Sequence, residues 1–345
     1  MTRLLQVMLG LTLLAGGLYL VGFHTKAGQD FLLSQAVKAM AAPPAEKPDT
    51  LSVMVCGSAS PLPAPGRARG CIAVLTPDHY FVVDAGDGSA NNLSLAALPG
   101  ERLDGVLLTH FHSDHITDLY SMNLTSWVAG RPGPLKVYGP KGVARVVAGF
   151  NETYALDRGY RVEHHGTDLL TPAFGVLQPV EQAAGTVMAF GDLRITVFAA
   201  DHHPISPAVS YRFDYKGRSL VVTGDTVVTD ELARQVQDID LLLTDAMSLP
   251  AVNLLEQGAA AAGRTRMLKV LKDIQDYHAP LASLVTLTAD ANIRLTALYH
   301  LVPAPRNSLM ESLWQRELTD NMILTEDLMW IDLPVGSSQI NVRAP

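Results

Sequence analysis

Positively charged residues are scarce in this sequence of 345 residues, and they are not clustered. There are 26 Lys and Arg against 34 Asp and Glu, which gives a formal net charge of −8. A protein that grips a nucleic-acid backbone usually carries a basic face or stripe, and none is visible here. The sequence alone therefore disfavours a nucleic-acid partner and leaves a local basic patch as the alternative.

Cysteine is also nearly absent, because the chain contains only Cys56 and Cys71. Neither lies near the N-terminus, which excludes lipoprotein processing. Cys56 ends the strand-like segment LSVMVC and Cys71 opens the strand-like segment CIAVL, so neighbouring strands would allow a disulfide, which suits an oxidising compartment. Two buried free thiols that behave as small apolar residues are an equal alternative.

The chain begins with a long apolar run. No charged residue lies between Leu4 and Phe23, and about twenty apolar residues suffice for a helix to span a bilayer. Arg3 supplies positive charge on the cytoplasmic side. Residues 1–25 are therefore predicted to anchor the chain in the inner membrane, with the remainder in the periplasm. A signal peptide, cleaved on secretion to the periplasm, is the alternative, although HTKAGQ is a poor cleavage site.

Residues 26–50 are predicted to connect this segment to the rest of the chain. Phe31–Met40 could form a short amphipathic helix, and AAPPAEKP at 41–48 has the composition of a tether. With 48% hydrophobic residues, the chain can bury one large core or two modest ones. Residues 51–345 are predicted to form the functional domain.

The most informative segment is THFHSDHITDL, residues 109–119, which follows an apolar run predicted to be a buried strand. Three histidines and an aspartate occupy six positions, namely His110, His112, Asp114 and His115. The i, i+2 spacing puts the first two rings on one side of an extended segment, and the last two come where a helix should begin. Imidazole and carboxylate are ligands that suit zinc and related metals. One loop could therefore serve two neighbouring metals.

Four more predicted strands are followed by a histidine or an aspartate, namely by His202, Asp225, Asp245 and His300. Loops at one edge of rigid strands are where α/β scaffolds build their sites. A lone histidine more often has a structural role, but this recurrence favours a shared metal site.

Three further features have competing interpretations. Asp84, which follows the strand-like Phe81–Val83, could orient a metal-bound histidine, and Asp87 could face the same pocket. The alternative for both is a role in the turn, which is favoured for Asp87. Residues 150–190 show few clear periods, and they could form a lid, a substrate wall or a surface insertion.

HFHSDH resembles the H-x-H-x-D-H signature of the metallo-β-lactamase fold. Other segments resemble the ribonuclease Z and bacterial arylsulfatase-like branch, namely CGSASPLP (56–63), VDAGDG (83–88), YGPKG (138–142), residues 201–212 leading to GDT (224–226), and YHLVP (299–303). The resemblance extends from Leu51 to about Leu333. It implies an α/β fold with four αββα layers, in which two sheets pack face to face with helices outside.

The resemblance also implies a set of ligands for two metals, expected to be Zn²⁺ with Mn²⁺ or Fe²⁺ as alternatives. The residues that match ligands of the first metal are His110, His112 and His202. Those that match ligands of the second are Asp114, His115 and His300, with Asp225 as the bridging carboxylate. His202 is preferred to His203 because it directly follows Asp201.

Two metals that share an oxygen ligand make hydroxide available near neutral pH, and this hydroxide can attack a phosphorus, sulfur or carbonyl centre. Asp114 and His278 are the predicted catalytic residues. YHA (277–279) resembles the histidine loop of ribonuclease Z, so His278 is a candidate to protonate the leaving group. The alternative is that His278 only interacts with a helix C-terminus.

The sequence departs from ribonuclease Z in having Thr244–Asp245 where that family has a His-Glu pair. It also shows no basic arm for tRNA, and it has Asp225 where class B β-lactamases usually have cysteine. We therefore predict a membrane-anchored, dinuclear zinc hydrolase of a small phosphodiester or sulfate (aryl) ester. The alternatives are a carboxylic ester or lactone hydrolase, a ribonuclease Z-like tRNA 3′ endonuclease, and a membrane-tethered metal-binding protein with little turnover.

Overall fold

The computed structural model describes residue 8 and residues 15–40 and 49–345. The chain divides into two compact units, Met1–Lys47 and Pro48–Pro345. In the first unit residues 15–24 are helical, and helix α1 spans Lys26–Met40, so it begins earlier than the predicted helix. The predicted tether at 41–48 lies outside the described residues.

The predicted membrane anchor is wrong. In the part of the chain that the structure describes, no helix has both the length and the apolar character needed to cross a membrane. Residues 4–7 and 9–14 of the predicted span lie outside that part. The predicted membrane partner and the inner-membrane or periplasmic location depended on such a helix, and these predictions are wrong with it.

The second unit contains two β-sheets. The eight strands of the first sheet are β1 (Thr50–Gly57), β2 (Cys71–Leu75), β3 (Tyr80–Val83), β4 (Gly105–Leu107), β5 (Leu135–Gly139), β6 (Leu177–Glu181), β14 (Trp330–Pro334) and β15 (Asn341–Arg343). The seven strands of the second sheet are β7 (Val187–Phe190), β8 (Leu193–His202), β9 (Ile205–Tyr215), β10 (Arg218–Val222), β11 (Leu241–Met247), β12 (Leu295–Val302) and β13 (Met322–Leu324). Strands β9 and β10 form a hairpin about Lys216–Gly217.

Helices lie between these strands along the chain. They are α2 (Ser89–Leu95), α3 (Ser113–Ile116), α4 (Leu119–Val128), α5 (Val143–Thr153), α6 (Ala155–His165), α7 (Asp230–Gln235), α8 (Leu249–Ala261), α9 (Thr265–Asp273), α10 (Leu281–Asp290) and α11 (Ser308–Gln315). Single 3-10 turns occur at Gly100–Arg102, Pro172–Phe174 and Ile274–Asp276.

Each sheet has an antiparallel half and a parallel half. The first sheet has the order β15-β14-β1-β2-β3-β4-β5-β6 and the second β13-β12-β11-β10-β9-β8-β7. Strands β3 to β6 pair in parallel, and so do β10 to β13. Parallel strands deliver their carboxyl ends to one edge of a sheet, which is where α/β proteins place their binding sites.

The alternation of side chains along the strands explains how the sheets are covered. Successive residues of a strand point to opposite faces. In β1, Leu51, Val53 and Val55 pack in an apolar cluster to which both sheets contribute. Met54 and Cys56 pack in a second cluster with residues of α2, α4 and α5. Strand β1 is therefore buried on both faces, between the other sheet and a layer of helices.

The second sheet follows the same rule. Leu241 and Leu243 of β11 join the cluster between the sheets, whereas Leu242 packs with helical residues such as Leu284 of α10 and Trp314 of α11. The layers are thus helix, sheet, sheet and helix. This confirms the α/β sandwich implied by the resemblance, although not the membrane helix predicted to precede it.

A disulfide joins Cys56 of β1 to Cys71 of β2, so the disulfide alternative is confirmed over free thiols. The Cα atoms are 5.0 Å apart, and the two strands are antiparallel neighbours. The bond closes the loop at 58–70. At Gly70 this loop passes next to the predicted metal site.

Reduction of this disulfide is expected to destabilise the protein. The cysteines are 15 residues apart in sequence, and loop-closure entropy for such a loop corresponds to about 3 kcal/mol of unfolding free energy. Urea unfolding should therefore show a lower midpoint when a reductant is added. The double variant C56A/C71A should be insensitive to the reductant. An unchanged midpoint for the reduced wild-type protein would contradict the prediction.

Candidate metal centre

The structure brings all seven predicted metal ligands together. The first sheet supplies them through the segment after β4, namely His110, His112, Asp114 and His115. The second sheet supplies His202 at the end of β8, Asp225 after β10, and His300 within β12. Six of the seven side chains are buried, with 7% exposure or less, and only His112 is partly exposed. The predicted ligands thus converge from both sheets at one buried place.

Three imidazole nitrogens form the first group. His112 Nδ1 lies 3.0 Å from His110 Nε2 and 3.3 Å from His202 Nε2. Asp225 Oδ2 completes the group, 3.7 Å from His202 Nε2 and 4.0 Å from His110 Nε2. Nitrogens bound to a tetrahedral zinc at about 2.0–2.1 Å lie about 3.3–3.4 Å from one another. The spacing of the group is therefore close to that of ligands around one metal ion.

Hydrogen bonds from Asp84 and Thr109 fix the orientation of two of these histidines. Asp84 Oδ2 lies 2.8 Å from His115 Nδ1 and accepts the hydroxyl proton of Thr109 at 2.8 Å. Thr109 Oγ1 is in turn 3.1 Å from His110 Nδ1. Because the hydroxyl proton is given to the carboxylate, both histidines donate from Nδ1, which leaves Nε2 as the ring nitrogen that can bind a metal. The contact predicted between Asp84 and a ligand histidine is present, and it is the type of contact that orients metal ligands.

His202 is oriented in the same way by the backbone. Its Nδ1 lies 3.0 Å from the carbonyl oxygen of Tyr277, which can only accept a hydrogen bond. The Nε2 lone pair therefore points towards the other ligands. His203, in contrast, is exposed, so the preference for His202 as the ligand agrees with the geometry.

The second group contains Asp114, His115 and His300. Asp114 Oδ2 lies 3.4 Å from His115 Nε2 and 3.1 Å from His300 Nε2. Asp225 Oδ1 lies 3.4 Å from His115 Nε2 and 3.3 Å from His300 Nδ1. His115 Nε2, His300 Nδ1 and Asp225 Oδ1 are buried and have no hydrogen-bond partner among the described residues. Buried polar atoms without partners are costly, and a cation between them would satisfy all three.

A β-bulge determines the direction of the His300 side chain. Asp245 of β11 pairs with Tyr299, but the next residue of β11 pairs with Leu301, so His300 is the extra residue of β12. Its φ of +45° lies in the left-handed region, which is unfavourable for a residue with a side chain. Bulges re-aim side chains next to active sites, and this one turns His300 towards Asp114 and Asp225.

Gly224 permits the close approach of the two ligand segments. Its φ is +65°, and a Cβ atom at this position would lie 2.6 Å from Cβ of Thr109. No other residue type fits there without a shift of the backbone. The glycine of GDT thus lets Asp225 approach the loop that carries His110.

Burial keeps part of the site neutral. It lowers the pKa of His202 to about 4 and holds that of His110 well below its ordinary value. Burial also acts to lower the pKa of His115, but the charges of Asp225 and Asp84 outweigh it and raise that pKa well above its ordinary value. Neutral imidazoles on one side and an excess of carboxylate on the other favour a bound cation.

His278 lies beside this centre, as predicted. Its Nδ1 is 3.0 Å from Asp245 Oδ2 and 4.0 Å from Asp225 Oδ2, and the residue is buried, with 3% exposure. Burial raises the pKa of Asp245, although the hydrogen bond from His278 acts to lower it. Because a carboxylate accepts the Nδ1 proton, Nε2 is the ring nitrogen available for proton transfer.

Two residues near the centre were given no specific role from the sequence. Asp245 was grouped with the strand-end residues and noted as a departure from ribonuclease Z, but it was assigned neither to a metal nor to catalysis. The partly buried ring of Tyr277 packs against His202 and His278, with centroids 4.9 Å from each, and no sequence pattern indicated this. Asp87 is exposed, and its backbone oxygen accepts from Arg69 N, which agrees with a role in the turn.

Comparison with known proteins identifies the class and then the family. Residues 79–301 match the family described as "Beta-lactamase superfamily domain". The site and the two-sheet sandwich define a hydrolase of the metallo-β-lactamase fold, and the chain belongs to the beta-lactamase superfamily.

The curated relatives include ribonucleases. The chain is 33% identical to a ribonuclease Z of Mycobacterium bovis (strain BCG / Pasteur 1173P2), over 74% of this chain and 87% of the relative. It is 31% identical to a ribonuclease Z of Mycobacterium avium (strain 104), over 82% of this chain and 99% of the relative. The prediction that a nucleic-acid partner is disfavoured rested on overall charge, and it is wrong in view of these relatives. Net charge averages over the whole surface and does not report a local binding site.

Solved structures share the fold. The short form of human tRNase Z matches with a TM-score of 0.59 and 18% identity, over 82% of this chain and 100% of that chain. The metallo-beta-lactamase fold protein YhfI of Bacillus subtilis matches with a TM-score of 0.60 and 17% identity, over 82% of this chain and 99% of that chain. The family typically binds divalent metals, and the two groups of ligands described above fit such ions.

Proposed function

We propose that this protein is a metal-dependent phosphodiesterase that cleaves RNA, in the manner that the name of its ribonuclease Z relatives indicates. The observation that carries the proposal is the His278–Asp245 pair, 3.0 Å apart, beside two ligand groups joined by Asp225. Alkoxide leaving groups of RNA need a proton, and this pair provides one at the reacting centre. The relatives support the phosphodiester part of the sequence-based prediction rather than the sulfate-ester part.

The proposed ligands form two sites that share Asp225. His110, His112 and His202 would hold one ion, and Asp114, His115 and His300 the other, with Zn²⁺ preferred and Mn²⁺ or Fe²⁺ as alternatives. When bound, such ions act as Lewis acids and lower the pKa of water to near neutrality.

The side chains around the ions have separate tasks. Asp84 and Thr109 keep His115 and His110 in the tautomers that leave Nε2 free for a ligand bond. His278 donates a proton from Nε2 to the leaving oxygen of the substrate. Asp245 acts as a positioning residue, because its hydrogen bond to Nδ1 fixes the orientation of the His278 ring beside the centre.

Metal removal is expected to abolish the activity. Protein freed of metal by a chelator should cleave neither bis(p-nitrophenyl) phosphate nor a precursor tRNA, and addition of Zn²⁺ should restore both. The restored protein should contain about two ions per chain, measured by elemental analysis. Protein with Asp225 replaced by alanine, prepared in parallel, controls for contaminating nucleases. Full cleavage after complete metal removal, or no cleavage of any phosphodiester by protein containing two ions, would contradict the proposal.

A further inference from the structure

A pocket of about 520 Å³ lies next to α3, the short helix of the ligand segment. This Arg145 pocket is lined by residues that include Ser113, Ile116, Arg145, Val146, Phe150 and Tyr154. Its volume is within the range of about 300–1,000 Å³ that is typical of small-ligand sites. None of the metal ligands lines it, so it is a separate feature of the surface.

The pocket adjoins the metal centre across α3. Ser113 and Ile116 face the pocket, while Asp114 and His115 between them face the metal ligands. His112, directly before Ser113, is the one predicted ligand that is partly exposed. The centre is therefore accessible at His112, one residue from the wall of the pocket, and a substrate bound there can extend into the pocket.

Aromatic rings form one wall of the pocket. The planes of Phe150 and Tyr154 are nearly parallel, 10° apart, with centroids separated by 6.4 Å. Tyr120 stacks on Tyr154 at 3.6 Å and 3°, and its hydroxyl donates to Asp157 at 2.5 Å. The stacking against Tyr120 thus fixes the orientation of the Tyr154 ring. A rigid, flat aromatic wall is suited to stacking against another flat ring.

Arg145 supplies a positive charge at this wall. It is exposed, and within the described chain its guanidinium makes no hydrogen bond or ion pair. No acidic side chain lines the pocket, whereas hydroxyl groups of Ser113, Thr117 and Thr153 do. An unpaired arginine beside aromatic rings matches a ligand that carries both a flat ring and a phosphate.

We propose that the Arg145 pocket binds the nucleobase that flanks the scissile phosphodiester, stacked at Phe150 and Tyr154, with an adjacent phosphate paired to Arg145. The inference rests on the proposed function and specifies its substrate as a nucleotide with an unpaired base, since a base within a duplex could not enter the pocket. Base stacking on aromatic side chains is tolerant of sequence, so the pocket selects single-stranded nucleotides rather than one base.

Gly149 allows the pocket to be filled without disturbing the fold. It lies in α5 and lines the pocket, and a Cβ atom there would meet nothing within 4 Å. Gly159 in α6 is equally open and does not line the pocket. G149L and G159L are therefore a matched pair, and both improve helix propensity. R145A has its own control in R266A, at an exposed arginine of α9.

The test compares ligands with and without a base on the metal-loaded enzyme. For turnover, the p-nitrophenyl ester of thymidine 5′-monophosphate is compared with methyl p-nitrophenyl phosphate, which has the same leaving group. For binding, calorimetry compares thymidine 5′-monophosphate with ribose 5-phosphate. The preference for the base-bearing ligand, as a ratio of kcat/KM or Kd, should fall about tenfold in G149L and remain in G159L. R145A should weaken binding of thymidine 5′-monophosphate about tenfold relative to R266A.

Each result has a defined meaning. Equal preference ratios in G149L and wild-type protein, in turnover and binding alike, would overturn the pocket assignment even if the enzyme is an active phosphodiesterase. If wild-type protein hydrolyses neither diester but G149L still loses the binding preference, the proposed function fails and the nucleobase pocket stands. If the protein shows no turnover and G149L and G159L have the same binding preference for the base-bearing ligand, both the proposed function and the pocket assignment are overturned.

Discussion

Replacing Asp225 with alanine should lower the bound metal below two ions per chain and reduce kcat/KM for phosphodiesters by more than about a hundredfold. Its two oxygens face different ligand groups: Oδ1 lies 3.4 Å from His115 and 3.3 Å from His300, and Oδ2 lies 3.7 Å from His202. Loss of a residue that only orients a ligand typically costs about 10–100-fold. Loss of a carboxylate shared by both groups should cost more.

Two variants make this experiment specific. D225N keeps the shape of the side chain but removes the charge, so it should also lose metal if charge is what holds the ions. D320A removes an exposed carboxylate and should retain full metal content and activity. Elemental analysis and turnover of bis(p-nitrophenyl) phosphate are the readouts. Two ions and wild-type turnover in D225A would rule out the bridging role.

Replacing His278 with alanine should slow the cleavage of RNA far more than that of nitrophenyl esters. General acid catalysis contributes about 10²–10⁴-fold where the leaving group needs a proton, and nitrophenolate hardly needs one. The expected loss is therefore of that size for a precursor RNA and within about tenfold for bis(p-nitrophenyl) phosphate. Single-turnover rates on both substrates, with metal content measured alongside, would show the difference.

The positioning residue gives an internal comparison. D245N keeps an acceptor oxygen beside His278 but removes the negative charge, so it should show the same dependence on leaving group with a smaller loss. H164A, at an exposed histidine of α6, is a control that should behave as wild type. Equal losses on both substrates in H278A would show that His278 supports the structure of the site rather than proton transfer.

The proposed metal ligands could be grouped from the sequence because they follow a rule of position. Strands that end at one edge of a sheet bring their next residues together, so His110, Asp225 and His300 could be grouped without any knowledge of distances. Asp245 obeys the same rule, but its role depends on His278, which lies 33 residues further along the chain. Their contact is fixed by the bridge between Met247 and Pro280, which no local pattern reveals.

The elements that were mispredicted have local explanations. The helical pattern of residues 259–276 predicts a single stretch of helix, but the chain forms α8 and α9 with a break at Gly263, whose φ is +65°. A glycine in the left-handed region commonly ends a helix, so the signal was present. Residues 155–165 form α6, which buries no residue, and its mostly polar sequence gave no indication of a packed helix. The apolar run at 4–23 was taken for a membrane span on length and hydrophobicity alone.

The division of the ligands between the two sheets has a mechanical consequence. Each proposed ion would be held from both sides of the sandwich, the first by His110 and His112 against His202, the second by Asp114 and His115 against His300. Each ion would thus cross-link segments about ninety or more residues apart in the chain. Ligands that bind only the folded state add stability by mass action, about 4 kcal/mol at a thousand times the dissociation constant. Separation of the sheets would then require release of the ions. The ligand–metal bonds that serve catalysis would therefore also set the mechanical strength of the fold.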